Sequence, residues 1–337
     1  MEKIVGFDIG ESSVKLVYFA GADLKKAVTA ELPDNMVSGS RIVSMDAMAD
    51  FLRQTAKSNG IPLTHAALVL PSTEVFTREL VMPAMTEQQL LYNLPYEFRD
   101  YLTEEKNKYF FEYSMREVLR DESGHPTEMN LLACATLKST VESYRAMLRR
   151  AGFRLRVLTP SECAYSAVLQ AYYRRTQQEG RDLCVVNLGH SATFLYIYRG
   201  GHFASRREIE VGMSDLEHLV ADQCSVDVHV AHEYVRQNYN HVLESEQARE
   251  LYGRIAVEVV KAVNFFNYNN RERELTQLCL CGGGSAIQPL YDTIADTTGM
   301  TLHTSAELLG QRMATEEPWM YLRAIGGVDL GIKGGLR

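Results

Sequence analysis

The chain has 337 residues, enough for two domains with a core each. Its 46% hydrophobic and 23% charged content are those of an ordinary globular protein. A net charge of −8 with no basic block argues against non-specific nucleic-acid binding, and no apolar run approaches the roughly 20 residues that cross a bilayer.

The first expected element is a β-hairpin. An apolar run from Ile4 leads through Asp8-Ile9-Gly10-Glu11-Ser12-Ser13 into a second run from Val14. A strand beginning at Lys3 leaves no room for a signal peptide. A third strand over 26–32, a helix over 45–58 stopped by Asn59-Gly60, and strands over 65–70 and 75–82 extend a mixed sheet. From Thr86 the pattern changes. A capped helix carries Leu90, Leu91, Leu94, Phe98, Tyr101 and Leu102 at helical spacing, interrupted by Pro95. Strands over 109–118 and 128–136 flank a polar loop, and a helix over 139–150 closes at Gly152. This predicts a small α+β subdomain inserted at about 84–152. A strand over 153–158 and a linking helix over 161–175 follow, so the halves divide as 1–160 and 161–337.

The second half opens like the first. An apolar run from Leu183 passes through Asn187-Leu188-Gly189-His190-Ser191-Ala192 into another run from Thr193. One offset relates Asp8 to Asn187, Gly10 to Gly189 and Ser12 to Ser191. A glycine turn lets backbone approach a bound group, and its N–H groups with nearby hydroxyls can cradle phosphate. One copy reads as a tight turn; two copies predict a cleft that grips a polyphosphate from both sides. Further on come a strand over 202–210, helices from 212 to about 241, a long helix over about 244–273 and a buried strand over 278–281. There Gly282-Gly283-Gly284-Ser285 stands between strand and helix, where free amides face a ligand. It is not a dinucleotide fingerprint, because Ile287 occupies the position of its last glycine. A last helix carries residues 324–328, and the glycine-rich tail after Leu330 has no membrane-anchoring pattern. The six cysteines read as buried thiols rather than as a metal site.

These motifs resemble those of the actin-like ATPase superfamily, which includes actin, the large heat-shock chaperones, sugar kinases and the cell-division protein FtsA. Asp8 to Lys15 matches its first phosphate motif, Asn187 to Thr193 its second, and Leu280 to Ser285 its adenosine motif. Within the superfamily the order of parts is similar to the PilM family of type IV pilus assembly. That likeness rests on residues 69–72 with 76–83, the stripe from Leu90 to Tyr101, Pro160-Ser161-Glu162, and residues 260–266. An insertion after Pro83 is the FtsA and PilM arrangement rather than the actin one.

The resemblance implies an α/β actin-like (ribonuclease H-like) fold of two halves around a nucleotide cleft, with ATP and Mg²⁺ as ligands. On one side it implies Asp8, Gly10, Glu11, Ser12, Ser13 and Lys15; on the other, Gly189, His190, Ser191 and Thr193. Gly282, Gly283, Gly284 and Ser285 take the adenosine, Lys261 and Gly327 join the binding set, Asp8 and Asn187 attend the metal, and Glu162 orients water as the catalytic residue. The superfamily begins its second turn with Asp, whereas this chain has Asn187. An amide cannot titrate, so ATP hydrolysis is expected to be slow or absent. The implied protein is a cytoplasmic scaffold that binds the tail of a PilN-like inner-membrane protein near Leu91, Leu94, Phe98 and Tyr101, a stripe that reads either as a groove wall or as the module's own core. The pilus motor ATPase and self-association are further expected contacts, and the membrane is reached only through protein. A small-molecule kinase or a filament-forming actin homologue of the same superfamily is the alternative.

Overall fold

In the computed structural model, which describes residues 2–178, 180–271, 273–312 and 316–333, the opening hairpin forms as expected. β1 (Lys3–Ile9) pairs antiparallel with β2 (Ser13–Ala20), and Asp8 stands directly opposite Lys15. β3 (Asp23–Glu31) continues the meander, and the short β4 (Val37–Ser38) and β5 (Arg41–Ile42) precede α1 (Met45–Ser58). β6 (His65–Leu70) then runs parallel to β1. β7 (Phe76–Pro83), α2 (Glu87–Glu97), β8 (Tyr109–Arg120), β9 (Pro126–Leu137), α3 (Lys138–Ala151) and β10 (Arg154–Pro160) follow. α4 (Ser161–Thr176) leads to the second hairpin, β11 (Leu183–Leu188) with β12 (Thr193–Arg199), and to β13 (His202–Ile209). The chain continues through α5 (Met213–Cys224), α6 (Val228–Gln237), α7 (Glu246–Asn269) and β14 (Gln277–Cys281). α8 (Gln288–Thr298), β15 (Thr301–His303), α9 (Ser305–Leu309) and α10 (Leu322–Lys333) complete it. Residues 334–337 of the glycine-rich tail lie outside the described residues.

The duplication extends from the turns to whole sheets. The first sheet has the order β3-β2-β1-β6-β10 and the second β13-β12-β11-β14-β15, each an antiparallel meander continued by two parallel strands. Every residue of β11 is buried, as expected of a central strand covered on both faces. α1 and α3 cover the outer face of the first sheet, where Phe7, Leu16, Leu52, Tyr144 and Leu148 pack together. α5, α7 and α8 cover the outer face of the second, around Val186, Leu195, Leu216, Ile255 and Leu290. α4 and α10 lie between the sheets, where Ile4, Tyr165, Val168, Tyr196, Cys279 and Ile325 share one core. α10 comes from the end of the chain but packs on β1, β6 and β10 of the first half as well as on α4.

The insertion differs from the helix, hairpin and helix expected at 84–152. β7 pairs along its whole length with β9, giving a separate sheet of order β7-β9-β8. α3 instead buries Tyr144, Met147, Leu148 and Ala151 in the first-half core. On this packing we place the module at 76–137, one helix on a three-stranded sheet. The apolar stripe of α2 is also divided. Leu90, Leu94 and Phe98 are buried with Leu80, Met82 and Leu131, while Leu91 and Tyr101 are exposed. Leu94 and Phe98 are therefore module core and not the wall of a groove. Among the described residues, no helix is long and apolar enough to cross a membrane.

Candidate functional site

The two hairpin turns close in the same way. Gly10 N–H donates to the Ser13 carbonyl at 2.9 Å, and Gly189 N–H donates to that of Ala192 at 3.1 Å. A Cβ on Gly189 would stand 2.6 Å from the Ala192 carbonyl, so that turn closes only around glycine. In the first turn the Lys15 ammonium donates to Ser13 Oγ at 2.8 Å. Burial lowers the Lys15 pKa; the Asp8 charge opposes this shift and the Arg323 charge adds to it.

The triple glycine lies against the second turn. Gly282 adopts φ +85°, and a Cβ there would meet Asn187 Oδ1 and the Leu188 carbonyl, each at 2.6 Å. A 3-10 turn over Gly283–Ala286 follows, with α8 starting only at Gln288. A Cβ on Gly283 would meet nothing within 4 Å, and the buried Ser285 hydroxyl has no hydrogen-bond partner. Open backbone beside an orphaned buried hydroxyl suits a polar ligand.

Several expected ligands have other partners. Glu11 Oε1 accepts from the Ser40 amide at 2.6 Å and its hydroxyl at 3.2 Å, tying the β4–β5 loop to the turn. Ser12 is half-buried and Ser191 exposed, each beside its turn glycine. Thr193 is fully buried and donates to the Val211 carbonyl at 2.9 Å. His190 lies 3.9 Å from Glu217, which also meets His232 Nδ1 at 2.8 Å. Lys261 forms an exposed ion pair with Glu258 on α7. A Cβ on Gly327 would stand in ordinary contact with Val69 at 3.4 Å and Ala67 at 3.8 Å, beside β6.

Glu162 starts α4 and is buried, with Oε1 accepting from Arg206 at 3.2 Å and Oε2 unpartnered. Burial raises its pKa and Arg206 opposes the shift. Asn187 is buried, its Oδ1 3.8 Å from Cys281 Sγ.

The cleft also contains a residue absent from the sequence reading. Arg323, on the first turn of α10, donates from Nε to Asp8 Oδ2 at 3.1 Å, and its Nη2 forms an ion pair with the same oxygen at 3.1 Å. Burial works against its charge, but Asp8, with Tyr165, Tyr196 and Cys281 around it, more than offsets that and raises its pKa. The signal was a single charge in the apolar run 322–328. The pair bears directly on the metal expected at Asp8 and Asn187. Mg²⁺ takes oxygen ligands, usually with one or two carboxylates. Asp8 is already bound to a guanidinium and Asn187 is neutral. Among the described residues, no group of three or more His, Cys, Asp or Glu side chains is arranged to hold a metal ion. A carboxylate held by a guanidinium and a neutral amide make a poor donor set for Mg²⁺.

Two surfaces could take a partner. Tyr92, Tyr96 and Tyr101 are exposed along and just beyond α2; Tyr92 and Tyr96 are 6.1 Å apart, and Arg78 lies 4.7 Å over Tyr101. A groove of about 400 Å³ runs between Glu79 of the module and Arg199, Arg207 and Phe265 of the second half.

Two similar halves, each with a phosphate-type turn, joined across a cleft with a glycine strand–helix junction, define an actin-like protein. Residues 6–316 match the family model described as type IV pilus assembly protein PilM, and the chain belongs to that family. It is an actin-like pilus-assembly protein. Among solved structures, a PilM–PilN type IV pilus biogenesis complex superposes with a TM-score of 0.80 at 19% identity, covering 98% of each chain. The ethanolamine utilization protein EutJ from Carboxydothermus hydrogenoformans gives 0.61 at 13% identity, over 98% of this chain and 90% of that one. The archaeal actin homolog Ta0583 gives 0.52 at 13% identity, over 98% of this chain and all of that one. No curated protein matches the sequence.

Proposed function

We propose that this chain is a nucleotide-holding scaffold of a type IV pilus machine, docked on the cytoplasmic segment of a PilN-like inner-membrane protein. There it links the membrane platform to the motor ATPase. The observation that carries the reading is the family match over residues 6–316, joined to a fold shared with a PilM–PilN complex. The module supplies a suitable surface, with exposed Tyr92, Tyr96 and Tyr101, the last 6.3 Å from Phe76 on the edge strand β7. An extended peptide beside such an edge gains main-chain hydrogen bonds, with apolar side chains for specificity. Nucleotide in the cleft would act as a structural ligand, since Asn187 cannot serve as a base.

The test is capture of the partner's cytoplasmic segment by the full chain, with phosphate release from ATP measured on the same preparation. The expected result is a stable complex, and phosphate release no faster than from a Lys15→Ala control. Absence of capture overturns the scaffold reading. Turnover well above the control overturns the assignment of nucleotide as a structural ligand.

A further inference from the structure

Three features of the cleft converge on Arg323. First, Asp8 is the acid that opens the first glycine turn, and its Oδ2 already accepts Arg323 Nε–H and lies 3.1 Å from Nη2. The Asp8 side chain is 4% exposed and that of Arg323 20%, so water screens the pair weakly. Second, Arg323 is held by a helix with little freedom to move. A Cβ on Gly326 would lie 2.0 Å from the Ala164 carbonyl, and one on Gly6 would lie 2.4 Å from that of Ala324. α10 is thus seated on the backbones of α4 and β1 at once. Third, the second turn has the neutral amide Asn187 where the first has Asp8, and Glu162 accepts from Arg206 through Oε1 while its Oε2 is unpartnered.

The charge balance then decides what the cleft accepts. Lys15 and Arg323 are the cations set against Asp8, while the acids Glu11 and Glu162 are turned to Ser40 and Arg206. A divalent ion brought to Asp8 would face a buried guanidinium at the same oxygen. A phosphate chain meets the opposite situation, because the guanidinium fork matches phosphate oxygens and remains charged. Of its five N–H donors, the one on Nε is hydrogen-bonded to Asp8.

We propose that Arg323 stands in for the divalent metal, so that this cleft binds a nucleoside polyphosphate without magnesium. The inference rests on the nucleotide reading above, and its test separates the two. Calorimetric titration of the full chain with ATP is run in magnesium and again in EDTA. The expected dissociation constants differ by less than about threefold. A larger loss in EDTA overturns the proposal and leaves the nucleotide reading standing. No binding in either buffer overturns both. Arg323→Met should weaken binding in EDTA by about tenfold or more, with magnesium recovering part of the loss. Equal binding by Arg323→Met and the parent in EDTA overturns the proposal. If that variant fails to fold, Arg323→Lys keeps the charge and should remain insensitive to EDTA; sensitivity there overturns the proposal.

Discussion

Two buried acids beside the cleft each meet an arginine, with different consequences. Asp8 and Arg323 are both largely withdrawn from water. Glu162 is 2% exposed while its partner Arg206 is 33% exposed, so the acid loses hydration and the partner keeps much of its own. Burial therefore raises the Glu162 pKa in the folded chain, with Arg206 opposing. A raised folded pKa means that the folded state holds the proton more tightly. The associated stability is fully present below the ordinary value of 4.5 and is lost as pH rises from there toward the folded value. Glu162→Gln carries no titrating proton, so its urea midpoint should fall less than the parent's between acidic and mildly alkaline pH. Parallel pH profiles for the two proteins would refute this. At this scale Asp8, Gly10 and Lys15 were legible in the sequence because a hairpin places neighbours opposite one another. Arg323 was not, since 315 residues separate it from Asp8 and no local pattern links them.

At the scale of elements, α10 shows how differently two neighbouring glycines are used. Gly327 lies in a helix that the resemblance ties to nucleotide binding, yet it touches Val69 and Ala67 of β6. Gly326 allows α10 to cross α4 at backbone contact. Gly326→Ala would force a Cβ against a carbonyl, an obstacle that cannot rotate away, and should cost about 3 kcal/mol, near the top of the usual range for overpacking. Denaturant titration measures it, and a cost below about 1 kcal/mol would show that the crossing is loose. The insertion teaches the complementary lesson. Its strands and helices were readable from period and caps, because those signals are local. Their partners were not: the burial of Leu80 and Met82 in β7 is equally consistent with either sheet, and the amphipathic face of α3 does not name its neighbour. The same ambiguity split the α2 stripe, where an apolar row broad enough for core and surface became Phe98 inside and Tyr101 outside.

At the scale of the whole molecule, the repeated turn was enough to read two equivalent halves, because register fixes each hairpin and hairpins seed the sheets. The shared layer of α4 and α10 was hidden, since a helix buried on both sides shows no clean polar face. The module keeps its own sheet while Leu132 of β9 reaches the core shared by the halves, and it leaves two surfaces open to a partner peptide. The tyrosine row is the one we favour, and it can be separated from the groove beside Phe265. Tyr92→Ala combined with Tyr101→Ala should leave the unfolding temperature unchanged, because both side chains are exposed, at 70% and 45%. Fluorescence anisotropy of a labelled partner peptide should then report an affinity loss of about tenfold or more, the signature of aromatic anchors. Phe98→Ala supplies the contrast: this ring is fully buried, so truncation should cost about 3–5 kcal/mol of stability wherever the peptide runs. Arg207→Ala with Phe265→Ala strips the cation and ring that stack at 4.6 Å in the groove, and peptide binding should survive it. Loss of binding in that pair, with the tyrosine pair unaffected, would move the peptide into the groove and away from the module surface.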